Sequence, residues 1–350
     1  MDNVSTISDF LQTIGARYRV YDIGRRTLKL NNSLFAQIEN ARTVAPHPIA
    51  RSICVGIVFW LKENTTDRSV WFLRFPLDET GLLSQVSRDE FLRELLLQSE
   101  NVGDDENSVG TASNESRFAL KPNEHSLAIF NARANKDLGL PPSRHYDHAL
   151  DYLAGNPGYE QWAFVGIQGL ADVCVRVGTH EELIRKAVNK LPDTPLITLA
   201  SCLDSESISG KLTAAMHSRL KEEIAKSAPS SDVIAALVRA CAGSRAKRRL
   251  AFLIRDALKS GHGGVELLAA ISGRCWPALH DDYLCSLFLE CVAATDDIDV
   301  FNALISDLMF VPGMREPLLM AFRNPERSEL VGKAIGGFFN SLNPRRSGAD

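Results

Sequence analysis

A chain of 350 residues is long enough for two cores, and 45% hydrophobic with 23% charged side chains is the make-up of a soluble globular protein. A formal charge of −4 and a pI near 6.1 argue against a general nucleic-acid binder, which would be basic. The most apolar run, 53–61, is far shorter than the ~20 residues of a membrane-spanning helix.

In chain order, Ile7, Phe10, Leu11 and Ile14 recur at helical spacing and predict a short helix over 5–14. Alternation follows across 17–30: Tyr18, Val20, Leu28 and Leu30 flank Asp22, Ile23 and Gly24, so a hairpin is expected with Gly24 supplying the turn. Asn32 is placed to cap a helix through about Ala41. Residues 53–61 and 70–75 are rich in β-branched and aromatic side chains and read as strands, joined by a polar hairpin loop over 62–68. Ser87 and Glu90 have capping-box spacing ahead of Phe91, Leu92, Leu95 and Leu96. The acidic stretch 101–116 reads as a flexible loop, and 118–121 as a further strand. An α+β unit over 1–100 is expected, with about four antiparallel strands and helices on one face, and then a connecting segment over 117–145.

From Tyr146 the pattern changes to short amphipathic helices separated by Gly, Pro, Asp or Ser. One helix is expected over 159–174 and another over 179–191, opened by a Thr179 and Glu182 box. Leu212, Met216, Leu220 and Ile224 form an i+4 ridge, and Leu250, Leu253, Ile254 and Leu258 a stripe that Gly261 is placed to end. Such stripes cannot be buried singly. The expected solution over 146–342 is an irregular all-α stack, HEAT-like or TPR-like, with no alignable repeat consensus and a disordered tail over 343–350.

Among chemistry-bearing residues, Asp78 and Glu79 follow the apolar strand and Pro76. They read either as an acid pair at a strand end or as a turn in which Asp78 caps 78–82 and the helix beyond; adjacent carboxylates in a strand point to opposite faces. His145, His148 and Asp151 share a helical face but supply too few ligands for a metal site. Arg245, Lys247, Arg248 and Arg249 open a helix, where cations oppose its dipole, and form a candidate patch for an anionic partner. Glycine-rich nucleotide loops and the GxSxG, HExxH and EF-hand patterns do not occur. The seven cysteines are scattered without a CxxC pair, as small core residues of a reducing cytoplasm would be, and the N-terminus lacks the pattern of a secretory signal. Trp60 and Trp71 are expected to pack the sheet, and Trp162, Trp276, Phe288 and Phe301 the spaces between helices.

The FPLDE segment ending at Glu79, the segment from Pro142 to Tyr146 and the YEQW run that follows resemble an uncharacterised family of proteobacterial proteins, a domain of unknown function noted for an LDE motif. Here that motif is Leu77, Asp78 and Glu79, and the resemblance spans nearly the whole chain. It implies a bacterial, cytoplasmic protein; it implies no activity and assigns no catalytic residue.

The leading expectation is a non-catalytic scaffold with an unidentified protein partner, no cofactor and no metal, its oligomeric state left open. The rival is a hydrolase or metal-dependent enzyme using Asp78 and Glu79 with a histidine from elsewhere. A third reading places nucleic acid or an acidic partner on the basic patch.

Overall fold

The computed structural model describes residues 4–61, 67–101 and 116–342. The expected acidic loop and tail therefore lie, but for their edges, outside the described residues, as does most of the expected hairpin loop. The chain divides into two compact units, Met1–Pro142 and Ser143–Asp350.

The first unit is built on four strands, β1 (Arg17–Asp22), β2 (Leu28–Leu30), β3 (Ser52–Trp60) and β4 (Ser69–Pro76), in the order β2-β1-β3-β4. Every pairing is antiparallel; Val20 lies opposite Leu30 on one side and Ile57 on the other, and Val58 faces Val70. Around the sheet run α1 (Ile7–Thr13), α2 (Asn32–Glu39), α3 (Gln85–Asn101) and α4 (Glu124–Asp137).

Helices cover both faces, not one. β3, SICVGIVFW, is buried at every position, and a strand with no polar side must be covered twice. On one face Trp71 of β4 meets Phe10 of α1 at 6.3 Å and Phe91 of α3 at 5.9 Å between ring centroids. On the other, Tyr21, Val58 and Trp60 surround Phe130 and Ala134 of α4. Residues 117–145, expected as a connector, thus carry the helix that closes this core. Gly56 permits the approach, because a β-carbon there would sit 2.3 Å from the Phe130 ring.

Two caps lie one and three residues ahead of their expected positions. Asn31, not Asn32, accepts from Ser33 N at 2.9 Å. Ser84 Oγ accepts from Ser87 N at 3.3 Å, so α3 opens at Gln85 and Ser87 lies within it. Residues 118–121 form one bridge, Ala119 with Leu73, rather than a strand.

The second unit contains α5 (Tyr146–Ala154), α6 (Ile167–Val175), α7 (Val177–Val188), α8 (Asp193–Leu203), α9 (Gly210–Ile224), α10 (Ser231–Ala240), α11 (Lys247–Ser260), α12 (Gly264–Arg274), α13 (Asp282–Ala293), α14 (Ile298–Met309), α15 (Arg315–Phe322) and α16 (Glu329–Leu342). Each helix packs beside the next but one, which sorts them into two rows, odd-numbered and even-numbered. The odd helices open at 146, 177, 210, 247, 282 and 315, so successive pairs begin 31, 33, 37, 35 and 33 residues apart. Among its described residues the only strand-like pairing is a single bridge, Ile208 with Ser244. Leu199, Leu237, Ile271, Phe288 and Ile305 are fully buried between the rows, and Cys174, Cys202, Cys241, Cys275 and Cys285 fill core positions as free thiols.

The expected helix over 159–174 is two elements. Gly158, at φ +85°, and Gly166 bracket a 3₁₀ turn, Tyr159–Phe164, and α6 starts afresh after it. Trp162 on that turn is 39% exposed, so it is not the core residue expected, whereas Trp276, Phe288 and Phe301 are buried. Thr179 caps nothing: α7 opens at Val177, and Glu182 pairs with Arg185 instead.

Candidate functional site

The Leu77, Asp78 and Glu79 triplet forms a tight turn where β4 ends. Leu77 is buried and donates its N–H to Arg51 O at 2.9 Å. Asp78 Oδ1 accepts from the Thr80 hydroxyl at 2.7 Å and from Thr80 N and Leu82 N at 2.9 Å. The Thr80 hydroxyl bond, then Leu82 N, hold the Asp78 carboxyl below the usual range. Asp78 therefore closes the turn over 78–82, as expected, but the helix beyond is capped by Ser84. Glu79 is exposed. The two carboxylates serve one turn and open solvent, and the structure does not bring them together.

The same end of the sheet gathers polar residues that no motif announced. Asp22, fully buried, accepts from Gly24 N at 3.0 Å and lies 3.3 Å from His47 Nδ1. Burial pushes its carboxyl up, against the His47 contact. Arg25, also fully buried, donates to Pro48 O at 2.7 Å. Ile49 and Ser52 exchange both backbone bonds across Ala50 and Arg51, whose φ values are +44° and +54°. This network ties the loop over 46–52 to β1 and orients His47; its members are brought together by two turns, which sequence spacing does not reveal.

His145 precedes α5 without a side-chain cap bond, His148 is exposed, and Asp151 Oδ1 accepts from Asn156. Among the described residues no group of three or more His, Cys, Asp or Glu is placed to hold a metal ion. Arg245, Lys247, Arg248 and Arg249 are exposed around the start of α11, which has no side-chain cap.

A cavity of about 380 Å³ opens across three successive even helices, α8, α10 and α12. Ile197 and the small residues Ala235, Ala269 and Ala270 line it. Asp232 and Glu266 enter from the first turns of α10 and α12, Arg239 and Arg274 from their last turns. Just past α8, the buried Asp204 accepts from Arg274 Nε at 2.9 Å and from the Ser205 hydroxyl at 2.7 Å. Arg239 is left over. Its Nε is buried without a hydrogen-bond partner, and burial, joined by Arg274, draws its pKa down while Asp204 and Asp232 oppose this through space. At the basic end Asp204 is hydrogen-bonded by one of two guanidinium groups, Arg274, while Asp232 and Glu266 sit at the acidic end, an arrangement that leaves Arg239 without a hydrogen-bonded carboxylate. The sequence held no signal for it, because an arginine in the last turn of an apolar helix is the ordinary complement of the helix dipole.

A larger cavity of about 520 Å³ lies between α14 and α16, lined by Ile298, Phe301, Leu330, Lys333 and Gly337. Asp297 on its rim is occupied in capping α14, accepting from Asp299 N at 2.9 Å and Val300 N at 3.1 Å. Nothing in it is short of a partner in the way Arg239 is, so the smaller cavity is the better candidate.

Among the described residues no helix is long and apolar enough to cross a membrane. No match to the chain is found among curated proteins or among solved structures. A family model described as "Protein of unknown function (DUF3549)" matches residues 2–339, and the chain belongs to that family.

Proposed function

We propose that this member of the family is a non-catalytic interaction protein of the bacterial cytoplasm, with the LDE triplet as a family mark, whose helical unit binds a protein partner. The two rows of helices, with pairs recurring every 31 to 37 residues, support reading the unit as a helical solenoid, an architecture that offers a long ladder of side chains to a polypeptide. The observation that carries the proposal is the cavity across α8, α10 and α12, with the half-buried Arg239 in its lining and the Nε of that residue buried without a hydrogen-bond partner. The enzyme alternative draws no support from Asp78 and Glu79, since one is tied into its own turn and the other faces solvent.

A photo-crosslinking side chain placed at Ala269, and separately at the exposed Glu222 of α9 in the odd row, tests this in the native host. A discrete adduct from position 269 alone is expected. No adduct from either position, or the same adducts from both, overturns the proposal.

A further inference from the structure

We propose that the cavity across α8, α10 and α12 recognises a carboxylate side chain of an extended partner segment, with Arg239 as its receptor; this rests on the interaction reading above. Three features of the lining carry it. Asp204 is already satisfied by Arg274 and Ser205, and Asp232 and Glu266 make no hydrogen bond to Arg239, so Arg239 is the cation left without a bonded carboxylate. A guanidinium presents paired N–H donors in a plane that matches a carboxylate, and the bond strengthens where water is partly excluded, as it is around the buried Nε. Alanines at 235, 269 and 270 leave room for a backbone to lie close against the helices.

The same lining restricts the ligand. Asp232 and Glu266 face the cavity from the first turns of their helices, seven and eight residues before Arg239 and Arg274. At ~1.5 Å rise per residue, the acidic and basic ends are about 10 Å apart. With Asp204 buried beside the arginines, three carboxylates repel a dianion such as phosphate more than a singly charged carboxylate. The fitting occupant carries Asp or Glu and, about three residues along an extended chain, Lys or Arg, since three residues of extended chain also span about 10 Å.

Alanine-methyl NMR on the full chain tests this directly. The probes are the capped tetrapeptides Glu-Ala-Ala-Lys and Lys-Ala-Ala-Glu, the neutral Gln-Ala-Ala-Gln, and inorganic phosphate. Saturable shifts at the methyls of Ala235, Ala269 and Ala270 are expected with one charged order, with affinity at least about tenfold above the neutral peptide and phosphate. Arg239→Gln is expected to remove the binding while leaving the remaining methyl spectrum in place; Arg239→Met, close in volume, replaces it if the amide variant does not fold. Equal shifts from the neutral peptide or phosphate, undiminished binding by the variant, or no shift from any probe up to about 10 mM overturns the carboxylate assignment. If the adduct at position 269 persists in Arg239→Gln, the interaction reading stands and only the carboxylate assignment falls; loss of the adduct from the unsubstituted protein removes the broader reading.

Discussion

Arg239 and Arg274 bring the same charge to one cavity with opposite consequences for folding. Arg274 neutralises the buried Asp204, so Arg274→Met leaves a carboxylate without its cation and is expected to lower stability by about 3 kcal/mol in urea unfolding. Arg239 is desolvated without an ion-pair bond in return, so Arg239→Met is expected to leave stability unchanged or raise it. A protein whose Arg239 variant is as damaged as its Arg274 variant would have a structural partner for Arg239. In the first unit, Glu39 accepts from Ile7 N at 2.7 Å and from the Ser8 hydroxyl at the start of α1. Burial raises its pKa from 4.5 to about 7, against the Ser8 hydroxyl, Ile7 N and Arg88. Between those values the folded chain holds a proton that the unfolded chain releases, so this contribution to stability is whole below about pH 4.5 and declines as pH rises toward 7. The decline is about 3 kcal/mol across the window. Glu39→Gln is expected to flatten the pH dependence of urea unfolding between pH 5 and 7, and a slope equal to that of the unsubstituted chain would place the titration elsewhere.

Turns and close approaches decide how the elements sit, and glycine marks only some of them. Ala50 and Arg51 occupy a two-residue turn with positive φ at both positions, which Asn followed by Gly adopts with far less strain. Ala50→Asn with Arg51→Gly is expected to raise the unfolding midpoint, by about 1 kcal/mol in stability. Gly56→Ala drives a methyl into the Phe130 ring, and Gly169→Ala drives one to 2.4 Å from His145 O, where α6 crosses α5. Each is expected to cost about 1–3 kcal/mol, the glycine in α6 the more because backbone cannot rotate aside as a ring can. What was legible from sequence follows the same division. β3 and β4 announced themselves through β-branched and aromatic residues, and α9 and α11 through apolar stripes, because those signals are local. α4 did not: its buried face, Ala128, Ile129, Phe130, Ala132 and Ala134, is mostly alanine and gives a weak stripe. The 3₁₀ turn carrying Trp162 was misread because Val165 and Gly166 interrupt the helical phase without breaking the apolar content. The cavity lining was illegible for another reason: Asp204, Arg239 and Arg274 are each separated by 35 residues, and only the stacking of successive helix pairs makes them neighbours.

Each unit of the molecule owns a core, and the polar groups discussed above divide cleanly between them. Trp71, Phe91 and Phe130 hold the sheet with its helices, whereas Phe288, Phe301 and Ile305 lie between the rows of the stack. Stability in a stack of helix pairs is largely a sum over neighbouring interfaces, so a perturbation at Asp204 is felt in the second unit and has no reason to alter the first. The same holds in reverse for Glu39, which bonds to residues of α1 within the first unit. Urea unfolding followed at two places therefore separates them: Trp71 reports the sheet, and Trp276, 7% exposed, reports the stack. With the other tryptophans replaced by phenylalanine in each reporter chain, Arg274→Met is expected to shift the Trp276 transition alone. Raising the pH from 5 to 7 is expected to shift the Trp71 transition and, in Glu39→Gln, to shift it less, the buried Asp22 of the same unit remaining. Coincident transitions that move together under both perturbations would mean that the units fold as one cooperative body, and the stack could then not be treated as an autonomous binding module.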